Sequence, residues 1–249
     1  MSSDDRHLLT VVIPNYNYGS YIGEAVDSVL AQDYEPVELI VVDDGSSDES
    51  VAVVRERLAA RDGRLHRATV MPLEENRGKL GAINAALPLI GGRYLIVLDA
   101  DDWLDPGYAR RCITELRERR LRDPELGFIY TDCRLVDRRG ATIDRGRSAA
   151  FDRELVGRLS FLPEPALMLA EAFLQAAPFD ESIRVATKHH KWRRVVANGW
   201  TGHHIAEPLF SYRMHDANMS GIGRRVLSET ESGERGERIL SGYWEVASR

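Results

Sequence analysis

The sequence predicts an α/β fold in which a mostly parallel central sheet is flanked by helices on both faces, with a smaller region beside it. Three segments, Leu8–Ile13, Val37–Val42 and Leu95–Leu98, are almost entirely apolar or β-branched, as strands buried on both faces are. Helical spacing of apolar residues comes after the first two segments. Alternation of such strands with amphipathic helices is typical of a parallel sheet covered by helices.

Each further element has its own local signal. Pro14 and the turn-forming residues after it end the first strand, and Gly199 is well placed to stop the last strongly patterned helix. In chain order the patterns predict a helix from near Ser20, a helix around Val51–Leu58, a helix from Tyr108 to about Arg122, a strand over Leu126–Val136, a hairpin through Asp137–Gly140, a loop and buried helix over Phe161–Phe179, and a helix from about Lys188 to Asn198.

Polar clusters come directly after all three predicted strands, at 14–19, 43–48 and 99–102. Ligands of open parallel sheets bind at the carboxyl ends of the strands, so we expect these clusters to share one edge. The acidic cluster is the most informative, because carboxylates at the end of a buried strand repel one another unless a cation lies between them. Oxygen ligands suit a hard divalent ion such as Mg²⁺ or Mn²⁺. The alternative is a helix-capping acidic turn, since Asp102 is followed by Asp105-Pro106-Gly107.

Composition argues against several function classes. The formal net charge of −6 over 249 residues is unlike that of a protein that binds nucleic-acid phosphates. Cys112 and Cys133 lack disulfide or metal spacing, so we expect small core residues in a reducing compartment. No run approaches the roughly 18 apolar residues of a membrane helix, so we expect no transmembrane segment and a cytoplasmic location.

Five segments in the first hundred residues occur in a specific order. They are Val11–Asn17, Ser28–Tyr34, Glu38–Asp48, Asn76–Asn84 and Tyr94–Asp102. This order resembles the inverting nucleotide-sugar glycosyltransferases of family 2, which have the GT-A fold. Three later parts of the chain match more loosely, namely Phe179–Ile183, Trp192–Arg194 with Gly199-Trp200, and Glu207–His215.

The resemblance implies a division of the chain and a donor site. Residues 1–106 would form the nucleotide-sugar-binding half and 107–220 the acceptor-binding half of the same globular domain, with 221–249 as a C-terminal tail or docking helix. Asp44, with Asp43 beside it, would accept a hydrogen bond from a uracil N–H. The implied nucleotide-binding residues are Pro14, Asn15, Tyr16, Asp43, Asp44, Asn76, Lys79, Asp99 and Ala100, and the implied metal ligands are Asp99, Asp101, Asp102 and His215.

Each of these assignments has a plainer alternative. The 43–48 cluster is also consistent with an ordinary loop that carries a helix N-cap at Ser47 or Asp48. Arg77 and Lys79 would reach a diphosphate, or they form a solvated basic turn. His215 would approach the metal or the diphosphate, or it is an exposed polar residue near the end of the chain.

The resemblance breaks where the family usually has a Glu-Asp pair, whose aspartate deprotonates the acceptor. The aligned positions here are Thr187 and Lys188. A lysine accepts a proton near neutrality only if its pKa is depressed, whereas imidazole titrates in the useful range. We therefore assign the base to His189 or His190, which together with Asp101 form the expected catalytic set. Two adjacent histidines at a helix start are also common as surface or packing residues.

These features predict a metal-dependent inverting glycosyltransferase that uses a nucleoside diphosphate sugar, with uridine as the expected nucleoside and Mn²⁺ or Mg²⁺ as the cofactor. The acceptor would be a small molecule, a carrier-bound intermediate or a glycan, and a homodimer is possible. Residues 14–19 supply no glycine-rich phosphate loop, which argues against a sugar-phosphate nucleotidyltransferase and a dinucleotide-dependent dehydrogenase. The alternative from another class is a catalytically impaired nucleotide-sugar-binding protein that serves as a partner or regulatory subunit.

Overall fold

The computed structural model describes residues 7–60 and 63–216, together with positions 218, 223, 226 and 228 and the backbone of 237–239. The described strands are β1 (Leu9–Asn15), β2 (Val37–Asp43), β3 (Arg67–Pro72), β4 (Tyr94–Val97), β5 (Trp103–Leu104), β6 (Leu126–Val136), β7 (Thr142–Arg147), β8 (Leu167–Leu169), β9 (Thr201–Arg213) and β10 (Glu237–Ile239). The described α-helices are α1 (Ile22–Leu30), α2 (Ser50–Ala59), α3 (Gly78–Ala86), α4 (Tyr108–Arg120), α5 (Arg153–Arg158), α6 (Ala170–Ala176) and α7 (Thr187–Ala197).

The strands form one sheet whose main path is β10-β7-β6-β8-β4-β1-β2-β3, with β9 pairing to β6 and β5. The amino-terminal part, β3-β2-β1-β4, is entirely parallel. The short strand β8 joins it to the rest and is antiparallel to both β4 and β6. This mixed but mostly parallel sheet with its helices confirms the predicted α/β class.

The register places the three polar clusters at one edge of the sheet. Asn15 at the end of β1 lies opposite Asp43 at the end of β2. The Leu98 amide donates to the carbonyl of Val12 at 2.9 Å, so Asp99 emerges beside the end of β1. The expected convergence of the clusters at the carboxyl ends of the strands is therefore confirmed.

The core lies on both sides of the parallel strands. All seven residues of β1 and all seven of β2 are buried. Because successive strand residues point to opposite faces, their burial requires cover on both faces, as the apolar sequence pattern predicts. Cys112 and Cys133 are free and fully buried, which confirms them as core residues.

The carboxyl-terminal half contains the predicted elements and also short ones that the sequence patterns did not predict, among them α5 and β8. β6 has the predicted bounds, and the turn between β6 and β7 is closed by the Gly140 amide, which donates to the Asp137 carbonyl at 3.0 Å. Within 161–179 the structure contains the predicted buried helix, α6, but also β8. Three residues are too few for a periodic pattern, so the sequence did not reveal β8.

The predicted tail or docking helix at 221–249 lies largely outside the described residues. Of this segment, positions 223, 226 and 228 and the backbone of Glu237–Ile239 are described, and Glu237–Ile239 pairs in parallel with β7. Among the helices that the structure describes, none combines the length and the apolar character needed to cross a bilayer.

Candidate functional site

Three carboxylates come directly after β4 at the carboxyl edge of the sheet. Oxygens from Asp99, Asp101 and Asp102 lie within 4.8 Å of one another. Burial, with the nearby charges of Asp101 and Asp99, raises the pKa of the Asp102 carboxyl well above its usual range. Burial also raises the pKa of Asp99, although Lys79 opposes the shift. Crowded carboxylates that are costly to ionise suit a hard divalent cation, so this donor set fits the expected metal.

Two residues around the end of β9 contact the acidic motif. His215 is buried, and its Nε2 lies 2.9 Å from Asp101 Oδ2. The backbone N–H of Arg213 donates to Asp102 Oδ1 at 3.0 Å, and its Nε donates to the Asp101 carbonyl at 3.0 Å. The structure thus brings His215 to the predicted metal ligands, and it is not an exposed residue. The positioning contacts of Arg213 were missed, because a single sequence does not distinguish a buried arginine from a surface one.

The helix-capping interpretation of the acidic turn does not agree with the structure. β5 lies between Asp102 and α4, and α4 begins at Tyr108 without a side-chain cap. The Asp102 side chain instead accepts from the backbone of Arg213. The acidic turn therefore faces β9 and the loop after it.

Lys79, in the first turn of α3, pairs with Asp99 and lies 3.4 Å from Glu164 Oε2. Burial would lower the pKa of the Lys79 ammonium, but the charges of Asp99 and Glu164 outweigh it and raise that pKa. Lys79 is therefore a cation held at the acidic cluster, and the solvated-turn alternative does not describe it.

The ends of β1 and β2 form a polar surface beside the acidic cluster. Asn15 Nδ2 donates to Asp43 Oδ1 at 2.6 Å, and the Ser46 amide donates to Asp43 Oδ2 at 3.0 Å. Asn15 Oδ1 is buried and has no hydrogen-bond partner among the described residues. Tyr16 is 46% exposed. An unpaired buried acceptor next to an exposed ring provides two groups that a nucleobase uses, an acceptor for its N–H and an apolar face.

Asp44 and Arg77 have other partners than the sequence led us to expect. The two Asp44 oxygens accept from the backbone N–H groups of Arg77 and Gly78, each at 2.7 Å, at the start of α3. Arg77 forms a two-point ion pair with Glu181, with Nε–Oε2 at 3.1 Å and Nη2–Oε1 at 2.6 Å. Asp44 thus anchors the start of α3. Asp43 and Asn15 are better placed than Asp44 to contact a nucleobase. Asn76 Oδ1 accepts from Arg184 at 3.3 Å.

On α7, Lys188 faces the acidic cluster and the two histidines do not. Lys188 lines a cavity together with Asp99, Asp102 and Glu164. His189 is buried with Nε2 2.8 Å from the Val156 carbonyl, and His190 borders a separate cleft between α5 and α7. Successive helix residues point about 100° apart, so the side chains of Lys188, His189 and His190 point in different directions. The assignment of the base to His189 or His190 therefore has no geometric support.

Burial lowers the pKa of the Lys188 ammonium to about 7, and this effect exceeds the opposing influence of Glu164. A depressed pKa is the condition that a lysine must meet to act as a base near neutrality, and the cavity meets it. A substantial fraction of the amine is neutral near pH 7. The chemistry available at position 188 is that of a proton acceptor.

A buried ion pair lies beside this cavity. Lys191 is fully buried, and its Nζ lies 2.5 Å from Glu164 Oε1. Burial would raise the pKa of Glu164, but Lys191 and Lys79 lower it to about 2. No sequence pattern indicates this pair, because Glu164 in the apolar 161–179 segment and Lys191 on α7 are brought together only by the tertiary fold.

Replacing Glu164 by alanine should lower the free energy of unfolding by about 3–5 kcal/mol, because it leaves the Lys191 ammonium buried without its partner. Glu35 is the matched control: its carboxylate is 67% exposed and pairs with Arg64 at 2.6 Å. Glu35→Ala should cost no more than about 1 kcal/mol. Urea unfolding of both variants measures the difference, and equal losses would contradict a stabilising role for the buried pair.

Two synthases among the curated relatives are similar to most of this chain, and this chain spans less than a third of the length of each. The chondroitin synthase of Escherichia coli is 29% identical over 214 residues, which are 86% of this chain and 30% of the relative. A hyaluronan synthase of Pasteurella multocida is 28% identical over 214 residues, 86% of this chain and 21% of the relative.

Solved structures share the fold. Staphylococcus aureus TarS 1–349 in complex with UDP superposes with a TM-score of 0.66 at 18% identity, over 89% of this chain and 64% of that one. The mannosyltransferase PcManGT of Pyrobaculum calidifontis, in complex with GDP-Man and Mn²⁺, gives 0.63 at 21% identity, over 92% and 64%. These likenesses confirm the GT-A type of the fold. A model of the family described as glycosyl transferase family 2 matches residues 10–152, more than half of the sequence, and the chain belongs to this family.

Proposed function

We propose that the chain transfers a sugar from a UDP-sugar to an acceptor hydroxyl, with inversion and with the help of Mn²⁺ or Mg²⁺. The observation that carries the proposal is the group of three carboxylates at the carboxyl edge of the sheet, next to Lys79 and the ends of β1 and β2. The names of similar proteins support it, since TarS has been solved with UDP and with UDP-GlcNAc.

The donor side of the reaction belongs to residues 1–106. Asn15 Oδ1 and Asp43 accept the uracil N–H, and Tyr16 covers the base and ribose together with Pro14. Asp44 acts indirectly, because its hydrogen bonds to Arg77 and Gly78 hold the start of α3, and with it Lys79, at the edge. Asn76 and Ala100 complete the wall of this site, next to the diphosphate and the ribose.

Asp99, Asp101 and Asp102 would hold the divalent cation, with His215 steadying Asp101 through the 2.9 Å contact. When bound, the cation neutralises the charge of the departing diphosphate. The buried guanidinium of Arg213 fixes the Asp101 carbonyl and thereby the direction in which the acidic motif points. These contacts orient the carboxylates that would hold the cation before the donor binds.

The acceptor side uses residues 107–220, with Lys188 as the base. The neutral Nζ of Lys188 takes the proton of the acceptor hydroxyl while the oxygen attacks the anomeric carbon from the face opposite the diphosphate. The new carbon–oxygen bond forms as the bond to the diphosphate breaks, and the electron pair of that bond leaves with the diphosphate. The resulting ammonium is stabilised by Glu164 and Asp99, which border the same cavity.

The acceptor class favoured by the relatives is a glycan, since two of the curated relatives are named chondroitin synthase and hyaluronan synthase. A small molecule or a carrier-bound intermediate fits the same chemistry. The shared requirement is a hydroxyl that reaches the cavity between Asp99 and Lys188.

Calorimetric titration with UDP, GDP and CDP, each with Mn²⁺, with Mg²⁺ and with EDTA, tests the proposal. We expect UDP to bind with the highest affinity and its affinity to fall at least about tenfold in EDTA, since a cation held by Asp99, Asp101 and Asp102 would offset the charge of the diphosphate. Tighter binding of GDP would correct the donor. Equal binding with and without metal would contradict the metal-dependent mechanism.

A further inference from the structure

A second cleft, of about 490 Å³, lies between α5 and α7. His190 borders this cleft, whereas Lys188 borders the cavity at the acidic cluster. Positions 188 and 190 are two residues apart along the helix and therefore point roughly 200° apart, so the cleft and the cavity lie on opposite sides of α7. The volume is within the range of small-molecule sites and is far larger than one ion needs.

The charge of the cleft is opposite to that of the chain. Among the described residues, Arg153, Arg193 and Arg194 line it and no acidic residue does, although the net charge of the protein is −6. Within the part of the chain that the structure describes, none of the three guanidinium groups forms an ion pair. Arg153 Nη1 donates to the Val196 carbonyl and Arg194 Nε to the Ala176 carbonyl, both at 2.6 Å, which fixes these side chains. Most of their N–H donors are still available to a ligand.

His190, which borders the cleft, has a buried ring nitrogen without a partner in the part of the chain that the structure describes. His190 Nε2 is shielded from solvent and has no hydrogen-bond partner among the described residues. Burial, followed by the charge of Arg194, lowers the pKa of His190, with Arg193 and His189 acting in the same direction and Asp180 against them. A buried polar atom without a partner is rare in a native structure and commonly marks the position of an absent ligand or water.

We propose that this cleft is an oxyanion-binding site, which takes the phosphate, sulfate or carboxylate group of a ligand of about monosaccharide size. The guanidinium groups supply planar, charged donors that match such anions, and the imidazole of His190 borders the same cleft. Val156, Val196 and Ala197 form an apolar floor for the rest of the ligand. The anion is either free in solution or the charged part of an acceptor that extends across α7.

Imidazole signals in ¹H–¹³C NMR spectra test the site directly, with His190 identified by the signal that is lost in His190→Asn. Titration of the wild type with inorganic phosphate should shift the His190 signal saturably and raise the pH at which it titrates, because an anion favours the imidazolium. Titration with glucose 6-phosphate and with glucuronate distinguishes a free anion from the charged part of a saccharide. Binding at least tenfold tighter than that of phosphate indicates the charged part of a saccharide, and equal binding indicates a free anion. Neutral glucose should leave the signal in place.

Two variants locate the binding. Arg193→Gln should weaken phosphate binding by about tenfold, as expected for the loss of one charged hydrogen-bonding partner. A Cβ atom at Gly157 would meet no atom within 4 Å, so Gly157→Met extends into open space and should block the cleft without disturbing the fold. Arg117→Gln makes the same charge change on α4 as a control. Absence of a saturable shift, or equal binding by all three variants, would overturn the proposal. The test requires neither donor nor metal, so its failure leaves the proposed transfer reaction untouched.

Discussion

Replacing Asp101 by asparagine should abolish metal-dependent binding of UDP. Asparagine keeps the volume of the side chain and an oxygen for His215 Nε2, which lies 2.9 Å from the carboxylate, but removes one of three converging charges. We expect the affinity for UDP in Mn²⁺ to fall by about 100-fold or more, to the value measured in EDTA, because a divalent cation contributes several kcal/mol through its carboxylate ligands. Calorimetry of wild type and variant, in Mn²⁺ and in EDTA, measures this loss.

Thermal unfolding gives an independent measure of the same site. Mn²⁺ should raise the Tm of the wild type, since a ligand that binds only the folded state stabilises it, and should leave the Tm of Asp101→Asn unchanged. Without metal the variant should be no less stable than the wild type, because burial and the charges of Asp101 and Asp99 raise the pKa of Asp102, and one carboxylate fewer relieves that repulsion. Asp33→Asn, at a 44% exposed carboxylate paired with Arg110, is the matched control and should respond to Mn²⁺ as the wild type does. Metal-dependent UDP binding by Asp101→Asn would show that the cation is held elsewhere.

The sequence predicted the edge of the sheet on which this site lies, because the loops at the carboxyl ends of parallel strands all emerge at the same edge. Val12 and Leu98 are far apart in sequence, yet the pairing of β1 with β4 brings Asn15 and Asp99 to one edge. The strands were recognisable from local composition alone, and the direction of the strands determines the position of ligands. The acidic motif could therefore be placed without any knowledge of side-chain contacts.

Which side chains hydrogen-bond or pair with one another could not be predicted in the same way. Asp44 and Asp43 are adjacent, but strand alternation turns them in different directions, and only the structure shows that Asp44 is taken up by the start of α3. The same holds for α7, where a rotation of about 100° per residue decides that Lys188 and neither histidine reaches the cavity. Glu164 and Lys191 are 27 positions apart and pair only because the segment before β8 packs against α7.

Replacing Lys188 by methionine should lower the rate of UDP release from the donor by about 10²–10⁴-fold, the usual contribution of a general base, while donor binding stays within about threefold. Methionine fills a similar volume and has no lone pair that takes a proton at neutral pH. Lys188→Arg keeps the positive charge but cannot give up its proton, so its rate should be as low as that of the methionine variant. The assay measures UDP released from the UDP-sugar that binds most tightly, with water and a panel of saccharides as acceptors. Release by His189→Gln close to that of the wild type would agree with the position of His189 against Val156.

The pH dependence separates a base from a merely structural lysine. The amine accepts a proton only when it is neutral, and burial lowers its pKa to about 7, so the active form increases as the pH rises. The kcat/KM of the wild type should therefore increase about tenfold per pH unit below pH 7 and level off above it. The residual activity of Lys188→Met should lack this limb, whereas a variant that is only destabilised would keep it at a lower amplitude. If the wild type binds UDP-sugar but releases no UDP at any pH or with any acceptor, the result would support the alternative of a catalytically impaired donor-binding protein. The replacement of the family's carboxylate by Lys188 would then be the cause of the impairment.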